Sequence, residues 1–168
     1  ALEIYLYNFP QQVGFELPLS LIARLVEAYP DTVVGSKDSS GDWPRMERTM
    51  AELPGFRLFP GSEEFLLAGL RQGAVGCISA TVNVTAPQSQ DVYANWRGEN
   101  ADELQTYLTE LRMAFKGLPA IPVMKAYHAH ERNEPGFANL RPPFTPASDA
   151  DLATVRERLA AAAFELAA

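Results

Sequence analysis

The chain has 168 residues, 47% of them hydrophobic, which suffices for one substantial core and is short for two generous domains. Its 14 basic and 21 acidic residues leave a net charge of -7, so a sequence-independent grip on phosphate backbones has no electrostatic basis and nucleic acid is not an expected partner. No run is apolar and long enough to span a bilayer, and the first residues lack the layout of a secretory leader; a cytoplasmic protein is the expectation.

In chain order, the first ninety or so residues alternate short β-rich runs with stretches of helical spacing, the signature of parallel strands. Strands are predicted over 2–7, 32–36, 56–59 and 74–79, and helices over 18–28, 42–53 and 62–72, the last bounded by a Ser62 cap and by Gly73. The lone Cys77 lies in the run Ala74-Val75-Gly76-Cys77-Ile78 and reads as a small buried thiol. After Pro87 the strand signals stop. Helices are predicted over 88–96, 101–116 and 121–132, then a Pro-rich connector over 141–146 and an Ala-rich helix from Asp149. Asn100 and Glu103 have the spacing of a capping box. The organisation expected is therefore residues 1–87 as βα units and 88–168 as a helical region.

Parallel strands are normally covered on both faces, and four βα units make only half of a closed barrel, which takes about 250 residues. The expected fold class is α/β, the second half of a (β/α)8 barrel with a helical extension. Four further units on a preceding segment, or a second chain, would supply the missing wall. A half-barrel that dimerises to close its sheet is a further reading.

In such folds the reacting groups sit at the carboxyl ends of the strands. Those ends carry Tyr7-Asn8-Phe9-Pro10, Ser36-Lys37-Asp38-Ser39, Pro60-Gly61-Ser62-Glu63-Glu64 and Ser79-Ala80-Thr81. A lysine ending the buried-looking run Thr32–Ser36 would be partly desolvated, which favours the neutral amine that attacks a ketone to form a Schiff base. The alternative is that Lys37 reaches solvent or pairs with Asp38 or Asp42. Tyr7 could relay protons to and from the adduct, or could simply seat its ring in the core. Glu63 and Glu64, at the start of a predicted helix, would complement its dipole whatever the ligand. Ser39 could tie its own loop through its backbone. His128 and His130 stand two apart on a predicted helix, on different faces, so no shared metal site is expected. Trp43 and Trp96 read as packing anchors.

Taken together, Tyr7-Asn8-Phe9-Pro10, Gly35-Ser36-Lys37-Asp38-Ser39-Ser40-Gly41-Asp42, Phe59-Pro60-Gly61-Ser62-Glu63-Glu64 and Gly73 to Ser79 resemble, in order and spacing, motifs of strands five to eight of the dihydrodipicolinate synthase and N-acetylneuraminate lyase family. The resemblance implies a class I lyase, aldolase or synthase that condenses pyruvate with an aldehyde or cleaves a 2-keto-3-deoxy acid. It would use no metal or organic cofactor, only a covalent imine with pyruvate on Lys37, and Tyr7 would be the proton relay. Gly61 and the Ile78 carbonyl would line the keto-acid pocket, and Ser39, Glu63 and Glu64 would meet the second substrate. Gln12 stands where the synthases carry an arginine for the aldehyde's carboxylate, which argues against that reaction proper and for a hydroxylated or aromatic partner shaped by Phe9, Gln11 and Phe15. A non-catalytic keto-acid-binding or regulatory relative is the alternative. The family's pyruvate-carboxylate loop falls on the amino-terminal half, so the chain by itself is expected to be inactive. The family's common tetramers imply a homo-oligomer.

Overall fold

A computed structural model describes residues 2–166, which form two compact units, residues 2–79 with 96–98 and residues 80–95 with 99–166. The first unit is built on three parallel strands in sequential order, β1 (Ile4–Asn8), β2 (Val33–Asp38) and β3 (Arg57–Pro60). Helices α1 (Pro10–Val13) and α2 (Leu19–Ala28) join β1 to β2, and α3 (Trp43–Glu52) joins β2 to β3. After β3 a short 3-10 turn (Glu63–Phe65) leads into α4 (Leu66–Gln72).

Each crossover has a local cause. Ile22 of α2 is spaced three and four residues from Leu25 and Val26, so one stripe packs against Val33, Phe56 and Leu6. Helix α3 starts where the Asp42 carboxylate accepts the Arg45 N–H at 3.1 Å, with a proline in its first turn, and turns Arg45, Met46 and Thr49 inward. Helix α4 stops at Gly73, whose φ of 102° is open to glycine at little cost.

Alternation along the strands splits the sheet into two faces. Asn8, Ser36, Asp38 and Leu58 point to the helix-covered side, where Leu58 is wholly buried. Tyr5, Tyr7, Gly35, Lys37, Arg57 and Phe59 share the other side in register, and there Tyr7 keeps 50% of its surface exposed.

The segment predicted as a fourth strand is not one. Val75 N–H donates to the Leu58 carbonyl and Ile78 N–H to the Pro60 carbonyl, at 3.1 and 3.0 Å, so three steps on this segment face two on β3. The extra residue falls beside Gly76, at φ 153°, and such a bulge breaks the ladder. Cys77 is half-buried rather than buried, because the irregular backbone does not seat it in the core.

The second unit comprises α5 (Val82–Asn95), α6 (Ala101–Met113), α7 (Ala120–Glu131), a 3-10 turn (Pro135–Ala138) and α8 (Asp149–Ala161). Leu111, Phe115, Val123, Met124, Val155 and Leu159 are central to its core. Helix α5 starts earlier than predicted and carries Pro87 inside it, with Thr85 out of helical geometry. Proline lacks the N–H that would bond the carbonyl four residues back, and that carbonyl, Asn83, is met instead by His128 Nε2 at 3.0 Å. The capping box predicted at Asn100 does not form, because Asn100 adopts φ -92°, ψ 8° instead of the extended geometry a cap requires. A capping box does form between Ser148 and Asp151, at the start of α8. Among the described residues no helix is long and apolar enough to cross a membrane.

Candidate active site

The ends of β1 and β2 lie side by side, with Tyr7 opposite Lys37 and Lys37 opposite Phe59. Residues opposite in a ladder project the same way, so all three side chains share the uncovered face. The Lys37 Nζ stands 4.4 Å from the centre of the Tyr7 ring, and Phe9 stacks on that ring at 5.5 Å between centroids. Burial raises the Tyr7 phenol, but hydrogen bonding from Lys37 and Ser39 together with the Lys37 charge outweighs it, so the phenol ionises below its usual range.

Neither acidic residue suggested as a partner for Lys37 serves as one. Asp38 points to the covered face, where its carboxylate accepts from Asn8 Nδ2 (3.1 Å), Arg45 Nε (3.0 Å), Ser40 N–H (2.9 Å) and Ser40 Oγ (2.5 Å). Asp42 is engaged at the start of α3. The pairing alternative fails because strand alternation puts residues 37 and 38 on opposite sides.

Ser39 is held by its N–H to the Asn8 carbonyl at 2.8 Å and packs against Gly61, where a Cβ would collide with the Ser39 side chain and backbone. Gly61 N–H in turn donates to the Asp38 carbonyl at 2.6 Å. Tyr7, Lys37, Ser39 and Gly61 therefore converge on the sheet's carboxyl edge, and Ile78 joins them through its bond to Pro60, with its side chain exposed. Glu63, in the turn after β3, is 0% exposed. Glu64 accepts from the Ser62 hydroxyl at 2.9 Å. Gln12 is exposed on α1, next to Gln11, whose Nε2 donates to the Ser40 carbonyl at 2.7 Å.

One layer deeper on the uncovered face, the Tyr5 ring occupies the space above Gly35, and Arg57 lies 5.2 Å from that ring while pairing with Glu3 at 2.7 Å. Hydrogen bonding to Glu3 raises the Arg57 guanidinium further above its usual value. Trp43 stacks on Phe65, and Arg97 lies over Trp96. In the second unit His128 contacts Asn83 and Arg132, whereas His130 contacts Glu131. No group of three or more His, Cys, Asp or Glu side chains able to hold a metal occurs among the described residues.

The residues that sequence reasoning missed are Asn8 and Arg45, with Asp38 as their hub. A signal was present: if Tyr7 and Lys37 face one way, their neighbours Asn8 and Asp38 must face the other, and a buried carboxylate needs a cation.

Three parallel strands, crossover helices and a lysine and tyrosine at adjacent strand ends define an α/β protein with its candidate chemistry at the carboxyl edge of the sheet. The chain belongs to the dihydrodipicolinate synthetase family, whose model matches residues 1–162. It is 38% identical over 128 residues to a 4-hydroxy-tetrahydrodipicolinate synthase of Methanopyrus kandleri, with 73% of this chain and 42% of that protein covered. It is 32% identical over 166 residues to an N-acetylneuraminate lyase of Rhizobium meliloti, covering 95% and 53%. Its fold superposes on the dihydrodipicolinate synthase of Agrobacterium tumefaciens with a TM-score of 0.83 at 27% identity, covering 96% of this chain and 54% of that one. The chain thus spans about half the length of the curated relatives it matches.

Proposed function

We propose that the protein is a class I lyase, aldolase or synthase in which Lys37 condenses with pyruvate or a related 2-keto acid. The observation that carries this reading is the Lys37 amine set 4.4 Å from the Tyr7 ring on the uncovered sheet face. The neutral amine adds to the ketone carbon to give a carbinolamine, whose hydroxyl leaves as water once it gains a proton. The Tyr7 phenol, whose ring lies 4.4 Å from the amine, supplies that proton and recovers it in the next step. The protonated imine then draws electrons from the adjacent carbon, so carbon-carbon bonds form or break without a metal or organic cofactor.

Gly61, held against Ser39, and the Ile78 carbonyl would border the keto acid, because a side chain at 61 would displace the loop behind Lys37. At the aldehyde end stand Gln11 and Gln12, which are neutral amides. They suit a hydroxylated partner better than one held by its carboxylate, which favours a sugar-acid or simple aldol reaction over dihydrodipicolinate synthesis.

The uncovered face would be closed by four further βα units to give the (β/α)8 barrel, which fits a chain about half as long as its relatives. Pyruvate and borohydride applied to the full-length protein should fix a pyruvate-derived mass increment on Lys37. An adduct elsewhere, or none, refutes the assignment, and an adduct without aldol turnover across a panel of sugar acids and aldehydes would mark a binding protein.

A further inference from the structure

We propose that Asn8 and Asp38, on the covered face of the sheet, are positioning residues that set the Lys37 amine against the Tyr7 ring on the other face. The inference rests on the Lys37 reading for its purpose, though not for its geometry.

Asn8 follows Tyr7 and Asp38 follows Lys37, and the two pairs are opposite each other in one register. The Asn8 side chain donates to Asp38 at 3.1 Å, so a buried hydrogen bond spans the same two strand ends that carry the Tyr7–Lys37 contact. Both residues are 2% exposed, and water does not compete for the bond. Rotation of either strand end about its axis would break the buried bond as it separated the amine from the ring.

Asp38 also fixes what surrounds the pair. Its carboxylate binds Ser40 through both N–H and hydroxyl, which sets the turn containing Ser39, and it neutralises Arg45, which is 4% exposed. Arg45 reaches on to the Leu17 carbonyl at 2.6 Å and to Glu16 at 3.3 Å, while the Asn8 carbonyl oxygen of the side chain accepts the Leu17 N–H at 3.0 Å. Gln11 ties the other end of that loop to Ser40. The segment bearing Phe9 and Gln12 is thereby pinned at both ends to the Asp38 cluster.

The test uses this chain with carbon-13 labels in lysine and tyrosine, and reads the nuclear Overhauser effect between the Lys37 ε-methylene and the Tyr7 ring. Wild type should show the contact. Asn8→Ala, which keeps the Asp38–Arg45 pair, and Asp38→Asn should each weaken it at least threefold. A Leu58→Val control, a purely packing change on the same face, should retain it even as its melting temperature falls. Absence of the contact in wild type, its survival in folded Asn8→Ala, or unfolding of both polar variants overturns the proposal; if Asp38→Asn alone fails to fold, Asn8→Ala decides. Pyruvate trapping on the same wild-type sample and on the full-length protein reads the Lys37 assignment separately, since the nuclear contact requires no keto acid.

Discussion

The two faces of the sheet are made by alternate residues of the same strands, yet they are built to opposite specifications. On the covered face the Asp38 carboxylate is matched by Asn8, Ser40 and Arg45, and Leu58 beside it in the sheet is wholly buried. On the uncovered face an amine, a guanidinium and two phenols stand half-exposed at Lys37, Arg57, Tyr5 and Tyr7. The contrast teaches that a buried, hydrogen-bonded cluster and an accessible set of side chains are separated by a single step along the chain. A buried polar cluster can be fully satisfied because nothing needs to enter it, and that leaves the next residue free to stay accessible.

The largest effect should come from Lys37→Ala. It should abolish the borohydride-trapped adduct in the full-length protein while changing the unfolding free energy by no more than about 0.5 kcal/mol, as for substitutions away from packed sites. A large stability loss would break the division between the faces. One residue type on the other side should behave in reverse. Arg45→Met should cost about 3–5 kcal/mol in urea titrations, because it strands the buried Asp38 carboxylate without its cation.

The smallest effect sharpens the comparison through two tyrosines. Tyr7, exposed beside an ammonium, ionises below the ordinary phenol range, whereas burial, reinforced by the Glu131 charge and partly offset by Arg156, pushes Tyr127 up to about 12. A folded state that holds the Tyr127 proton more tightly than the unfolded chain contributes stability at pH 9. That contribution is lost between pH about 10, where the unfolded phenol ionises, and about 12. Unfolding measurements at pH 9 and 12 should show wild type losing roughly 1–3 kcal/mol more than Tyr127→Phe across that window.

Much of this division was legible in the sequence. Parallel strands followed from the alternation of β-rich and helical runs, and α2, α3 and α8 begin within a residue or so of where Pro18, Asp42 and Asp149 placed them. Tyr7 and Lys37 were identified as strand-end residues, and the register brings them side by side. What escaped depended on tertiary partners. Ala74 to Ser79 has strand composition, but only the hydrogen-bond count against β3 reveals the surplus residue at Gly76. Asn100 had the right spacing for a cap and the wrong dihedrals. Glu63 could be read from its position as meeting substrate or complementing a helix dipole, while its complete burial is something a sequence does not print. The kink at Thr85 was foreseeable from Pro87, but its repair by His128 joins residues 45 apart and had no local trace.

The Ser39–Gly61 contact sets a limit on how this protein can diversify. The two loops touch backbone to side chain with no volume to spare, so even one methyl group at position 61 would have to be accommodated by moving the turn beside Lys37. A library built to vary this edge of the sheet should therefore leave that position alone and draw its variation from the exposed Gln12 of α1, keeping Gln11, whose amide holds the Ser40 carbonyl.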